Sequence, residues 1–180
     1  MVRREYRLHD QIRRGFLDEH AFDYVFIDCP PSLGLLTINA MTAVDEVLIP
    51  IQCEYYALEG VGQLLGNIGM IREHLNHNLH ISGILLTMYD ARTRLAADVA
   101  DEVRGQFGQV VLNNVIPRSV KVSEAPGYGQ TVIDYDPGSR GALAYFDAAK
   151  ELATRGDYQP HPTTGPIGVS PEVYNQLEEE

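Results

Sequence analysis

Asp23-Tyr24-Val25-Phe26-Ile27-Asp28-Cys29-Pro30-Pro31-Ser32 is the stretch from which the rest of this 180-residue sequence can be read. An apolar run rich in β-branched and aromatic residues ends in an acid and then turns through two prolines, which predicts a strand over 24–28. Its apolar character is continuous rather than alternating, as in parallel strands buried on both faces. In an open α/β sheet, ligands bind beyond the carboxyl ends of the strands, where Asp28 would emerge. A carboxylate there can hold magnesium through its water shell, because the ion prefers hard oxygen ligands and dehydrates reluctantly. The plainer alternative is that Asp28 caps the helix following the prolines.

Further strands are expected over 46–51, 81–88 and 110–116. Between them lie helical stripes: Leu58, Val61, Leu64, Leu65, Ile68 and Ile71, then Leu95, Val99, Val103 and Phe107. The first 20 residues hold five Arg against four acids, with Tyr6, Leu8, Ile12 and Phe16 near helical spacing. A last helix is expected over 139–155, with Leu143, Phe146, Ala149 and Ala153 inward, Ser139 as its cap and Gly156 just past its end. Strand and helix alternate throughout, which favours a doubly wound α/β fold with a mostly parallel sheet.

Composition narrows the function. The longest apolar stretches fall far short of the roughly 20 residues that span a bilayer, and the first residues do not resemble a secretory signal, so a cytoplasmic protein without a membrane role is expected. Cys29 and Cys53 lie 24 positions apart with no metal-ligand spacing, and ordinary buried thiols are expected. The net charge of −11 argues against nucleic-acid binding by overall charge alone. Asp157, Glu172 and Glu178 to Glu180 supply five of those charges in a Pro- and Gly-containing stretch without Lys or Arg, leaving −6 for the preceding 155 residues. Residues 156–180 are therefore expected to form a flexible acidic tail.

The stretch from Asp23 to Gly60, with IDCPPSLGLLTINAMTA and VLIPIQCEYYALEG, closely resembles the ParA/Soj family of partitioning ATPases. The likeness continues through GILLTMYDART at 83–93, VIPRSVKVSEAP at 115–126 and YDPGSRG at 135–141. It implies a P-loop NTPase fold of the ParA/MinD-like type over residues 1–155, incomplete at its amino terminus. It also implies ATP and Mg2+ as cofactors, a homodimer formed with ATP, non-specific binding of double-stranded DNA, a ParB/Spo0J-type partner, and a place on the nucleoid in chromosome or plasmid segregation.

Site residues follow from that resemblance position by position. Asp28 matches the Walker B aspartate, catalytic through its hold on Mg2+. Pro117 and Arg118 match the segment lining the adenine pocket, although Ser119 stands where Asn is common; on the residues alone, Pro117 ends a strand because it lacks an amide donor. Arg92 and Lys121 match basic positions of the DNA-binding surface, and Arg94, Arg118 and Arg140 extend the patch in an alternative reading. Positions 92–140 hold six basic residues against six acids, so only folding and dimerisation would gather a positive face.

No G-x-x-x-x-G-K-[ST] or K-G-G-x-G-K-[ST] string occurs in the 180 residues. Such a loop cradles the phosphates with backbone amides, neutralises them with Lys and ligates magnesium through Ser or Thr. The sequence is therefore expected to be part of a longer ATPase, inactive on its own. The alternative is a degenerate paralogue, or an ATP-independent module docking on ParA or ParB. MinD-like relatives end in a basic amphipathic helix, unlike this acidic tail. His74, His77 and His80 are expected in a solvated connector rather than a metal site, and Tyr55 and Tyr56 in packing or dimer contact rather than on a nucleobase.

Overall fold

The computed structural model describes residues 3–17, 22–30, 32–56 and 60–155; the expectations placed on Pro31, Leu58, Gly156 and the acidic tail lie outside the described residues. The chain divides into two compact units, one formed by Met1–Val47 and Gln63–His80, the other by Leu48–Gly62 and Ile81–Glu180.

In the first unit a 3-10 turn (Arg4–Tyr6) leads into α1 (Arg7–Gln11) and a π-helical turn (Ile12–Phe16). Gly15 breaks that helix at φ 96°, a conformation glycine adopts without steric cost. α2 (Leu35–Ala43) is tied to this first segment by polar side chains: Asn39 Nδ2 donates to Arg4 O at 3.0 Å and Thr42 Oγ1 to Glu5 O at 2.7 Å. Asn76 Nδ2 reaches the free carbonyls at the end of α2, Met41 O at 2.9 Å and Val44 O at 2.7 Å. In α3 (Val61–His74) the expected stripe is realised, with Val61, Leu65, Ile68 and Ile71 buried.

The 24–28 segment departs from expectation. It is not a strand, and Phe26 is 72% exposed, with Tyr24 and Val25 exposed beside it. A strand exists only through a neighbour that satisfies its N–H and C=O groups, and no described residue forms a ladder with 24–28. Tyr24 and Phe26 instead stack on one another, with centroids 6.3 Å apart.

The other strands meet the α/β expectation. β1 (Glu46–Gln52) pairs with β2 (His80–Thr87), whose sequence, HISGILLT, is buried at five of eight positions. The run expected over 110–116 joins β2 as an interrupted parallel neighbour, bridging Ile84 to Val111 and Tyr89 to Pro117. Leu112 N–H donates to Ile84 O and Ile116 N–H to Leu86 O, each at 2.8 Å. Between those bonds, the N–H groups of Asn113 and Asn114 turn to the Glu151 carboxylate at 2.8 and 2.9 Å, which accounts for the interruption.

α4 (Arg94–Phe107) starts at Thr93, whose Oγ1 accepts from Ala96 N–H at 3.4 Å, and buries Val99, Val103 and Phe107 as expected. Leu95 is exposed, and Ala96 and Ala100 take its place inside. Two short helices, α5 (Val120–Glu124) and α6 (Val132–Tyr135), precede α7 (Arg140–Arg155). Ser139 caps α7 as expected, accepting from Ala142 N–H at 3.2 Å.

The expected inward face of α7 is corrected. Leu143, Phe146, Ala149 and Ala153 are exposed, while Gly141, Ala142 and Ala148 are buried. Small residues let the helix approach closely: a Cβ on Gly141 would lie 2.6 Å from Cγ2 of Val122, a β-branched side chain with little freedom to move. The same helical face carries Glu151, which also binds Arg155 at 2.7 Å. The clamp and the small residues fix the rotation of the helix, outweighing its larger apolar side chains.

Burial raises the Glu151 pKa, but the hydrogen bonds from Asn113, Asn114 and Arg155 outweigh it and hold the carboxyl below its ordinary 4.5. A carboxyl lowered in the folded state stabilises fully above its ordinary value, and that contribution is lost as pH falls through the folded value. Glu151→Gln should lower urea-unfolding stability at pH 7 by about 2 kcal/mol. It should also flatten the stability loss of the parent chain below about pH 4.5.

Candidate functional site

A cleft of about 770 Å3 opens where three parallel runs of the second unit end. Residues 52–56 enter it from β1, residues 88–96 from β2, and Arg118 from the interrupted third run. Two local features aim these ends. Cys53 N–H donates to Thr87 O at 2.9 Å, which anchors the segment leaving β1. Met88 sits in the left-handed region at φ 54°, a conformation that costs a non-glycine residue energy and gathers at functional sites. That turn brings Tyr89 N–H to Ile116 O at 3.0 Å and lets Tyr89 O accept from Arg118 N–H at 2.9 Å. Pro117, half-buried in the bridge to Tyr89, ends the run as its missing amide donor predicts.

The charged groups in and near the cleft segments are paired. Arg118 meets Glu54 at 2.6 Å, with both side chains about half exposed. Arg92 grips Asp90 through two side-chain bonds, Nε to Oδ1 at 2.9 Å and a terminal nitrogen to Oδ2 at 2.7 Å. Those bonds, with help from the Arg92 N–H, hold the Asp90 carboxyl at about 2 and push Arg92 upward. Lys121, on α5, bonds Glu124 at 3.2 Å and lies 5.4 Å from the centre of the Tyr135 ring; the Glu124 bond raises its pKa. Arg94 pairs with Asp98 at 3.6 Å.

Of the site residues expected in the second unit, Arg118 lines the cleft, together with Asp90, whereas Pro117, Arg92 and Lys121 are not among its lining residues. Asp28 belongs to the first unit, where it ends the exposed 24–28 segment with no side-chain partner among the described residues. Tyr55 and Tyr56 are 77% and 74% exposed at the cleft, edge to face with centroids 5.1 Å apart, so packing within the chain, one of the two roles expected for them, is not what the structure shows. His74 pairs with Glu73 at 3.7 Å and His80 with Glu46 at 3.8 Å, and the described residues contain no cluster fit to hold a metal ion. None of their helices is long and apolar enough to cross a membrane.

Sequence reasoning missed Glu54, Asp90 and Met88. Glu54 follows β1 and Asp90 follows β2, so the rule that singled out Asp28, an acid just beyond an apolar strand, also marks them. The turn at Met88 carries no signature, because its sequence lacks the Gly or Asn that usually announces positive φ.

A family profile described as an AAA domain matches residues 1–81. Over 135 residues the chain is 58% identical to the sporulation initiation inhibitor protein Soj of Bacillus subtilis, covering 75% of this chain and 53% of the relative. Over 154 residues it is 49% identical to the chromosome partitioning protein ParA of Caulobacter vibrioides, covering 86% and 57%. The chain therefore spans about half the length of the curated relatives it matches. Among solved structures, cobyrinic acid a,c-diamide synthase from Mycobacterium smegmatis with bound ADP and magnesium matches at a TM-score of 0.69 and 36% identity, over 92% of this chain and 60% of that one.

The cysteines offer a direct check on the cleft floor. Cys53 is 4% exposed and Cys29 half-buried. Burial raises both thiols, more than the Asp28 charge does at Cys29 and against the pull of Arg104 at Cys53. A thiol reagent should modify Cys29 at least about ten times faster than Cys53 in the folded chain, with the rates converging in denaturant. Mass spectrometry of timed samples reads both sites.

Proposed function

The chain belongs to the ParA/Soj family of chromosome-partitioning P-loop ATPases, and from that premise we propose that its cleft receives the base of ATP within an ATP-switched segregation protein. The observation that carries this reading is the convergence of three parallel strand ends on one cleft, with Arg118 at its mouth directly after the strand-ending Pro117. Ligands of parallel α/β sheets bind at such carboxyl ends, and a cleft of about 770 Å3 is of ordinary size for a nucleoside.

Asp28 is the proposed magnesium-side acid. Its exposed carboxylate has no side-chain partner among the described residues, and one such hard oxygen with a water shell is the usual protein contribution to Mg2+. The ion, when bound, would offset the charge of the phosphates. In the complete protein, ATP would join two copies, and the dimer would bind DNA without sequence preference through Arg92 and Lys121, placing it on the nucleoid.

Both cations are neutralised by neighbouring acids in this chain, so phosphates must compete with Asp90 and Glu124. A dimer doubles the contacts and offsets that competition by avidity. A ParB-type partner would then trigger hydrolysis.

The test grafts this chain in place of the matching stretch of Soj. The graft should turn over ATP and bind DNA in a salt-sensitive way. Asp28→Asn should cut turnover on the order of 100-fold. Arg118→Ala should raise the KM for ATP about tenfold, equivalent to about 1.4 kcal/mol. Removing Arg92 and Lys121 together should reduce the salt slope of DNA binding by about two per protomer. Turnover that survives both nucleotide-site substitutions unchanged would contradict the reading.

A further inference from the structure

We propose that the arginines of the first helical segment form a contact for the phosphate backbone of a nucleic-acid duplex, one that needs neither ATP nor the cleft. Residues 3–17 hold five Arg against two acids, in a chain whose net charge is −11. Arg3, Arg4, Arg7, Arg13 and Arg14 are all exposed. Asp10 is taken up by His9 at 3.3 Å, and Glu5 is half-buried. The guanidinium groups of Arg4, Arg13 and Arg14 contact no acid among the described residues, and that of Arg3 lies over the Tyr6 ring, 4.7 Å from its centre. Cations of the second unit differ: Arg92, Arg94, Arg118 and Lys121 are each tied to an acid. A phosphate arriving at Arg4, Arg13 or Arg14 therefore has no carboxylate to displace.

The backbone that carries these arginines is held by α2. Asn39 Nδ2 and Thr42 Oγ1 donate to Arg4 O and Glu5 O, and Asn39 Oδ1 accepts from Leu8 N–H at 3.3 Å. Arg4 and Arg7 stand three apart, the spacing at which side chains align in a 3-10 turn, and Arg14 follows Arg7 by about two helical turns. From Arg3 to Arg14 the rise is about 16 Å. A DNA duplex carries one charge per about 1.7 Å of its axis, so several phosphates lie within that reach.

The chemistry of this face selects its ligand. Single strands are bound by stacking their bases on open aromatic rings, but Tyr6 is half-buried, its hydroxyl donates to Leu75 O at 2.9 Å, and Arg3 covers its ring. A lipid surface takes up an apolar face beside the basic one, but Leu8 and Ile12 are half-buried and α1 lies against α2. Protein interfaces are anchored by large apolar or aromatic side chains. Apart from Gln11, the exposed residues among the described side chains of 3–17 are arginines. Guanidinium forks without such anchors suit a phosphodiester backbone, which is bound by charge and not by sequence.

The experiment is fluorescence anisotropy of a labelled DNA duplex of about 20 base pairs, titrated with the 180-residue chain without nucleotide between about 50 and 200 mM salt. With four arginines each neutralising a phosphate, affinity should fall on the order of 100-fold over that range. Arg4→Ala with Arg14→Ala should bind more weakly and lose only about tenfold. Arg4→Lys with Arg14→Lys keeps both charges and should retain the parent's salt dependence, which separates lost charge from altered structure. Arg13→Ala, expected to reduce the loss to about 30-fold, decides if the double alanine variant does not unfold cooperatively. Arg92 and Lys121 stay intact in every variant, so the change in salt dependence reports on the first segment alone.

No duplex binding by the parent, or a salt dependence unchanged in the alanine variants, overturns the proposal. A lysine variant that loses salt dependence as the alanine pair does overturns it as well. Tighter binding of the parent to the single strand, or to vesicles of anionic lipid, than to the duplex at equal salt overturns the assignment of this face to a duplex.

Discussion

The backbone hydrogen bonds between β2 and the run that ends at Pro117 hold the second unit together. Four of them, from Leu112 N–H on Ile84 O to Arg118 N–H on Tyr89 O, set the register of the two segments and carry it past the end of β2. The core of Leu85, Leu112, Ile116 and Ala148 forms on this register. So does the cleft, since the same bonds bring Asp90 and Arg118 out on one edge, and the Cys53 anchor adds Glu54 from β1. The left-handed turn at Met88 marks where the chain leaves regular geometry to keep that alignment.

Charge pairing decides what the surface of this unit can do. Arg92, Arg94, Arg118 and Lys121 each contact an acid of the same unit. These exposed pairs add little to stability, but they fix where each cation points and what a ligand must displace. Glu151 differs from them. It is largely buried, accepts from two backbone amides, and interrupts the third run while setting the rotation of α7. A nearby acid therefore interrupts a strand and orients a helix at Glu151, and holds a cation at the cleft at Glu54.

The sequence made the α/β alternation legible because the buried runs of β1, β2, α3 and α4 carry their own periodicity. It misled where burial depends on a partner that periodicity cannot specify. The 24–28 run is as apolar as β2, yet it finds no ladder among the described residues and lies exposed. In α7 two faces compete, and the larger side chains, Leu143 and Phe146, lose to Gly141, Ala142 and Ala148 because close approach and the Glu151 clamp are properties of the packed state. Of the residues lining the cleft, Arg118 was singled out through family resemblance. Glu54 and Asp90 stood at strand ends in plain view, but the pairing of Glu54 with Arg118, 64 positions along the chain, exists only after folding.

The central claim is that the three strand ends of the second unit form the base end of a nucleotide site. Amide chemical-shift mapping of the isotope-labelled chain during an adenosine titration tests it most directly. The account predicts saturable shifts confined to residues 54–56, 88–90 and 118–119. Shifts clustered instead on the exposed face of α7 around Leu143 and Phe146, or none at all, would contradict it.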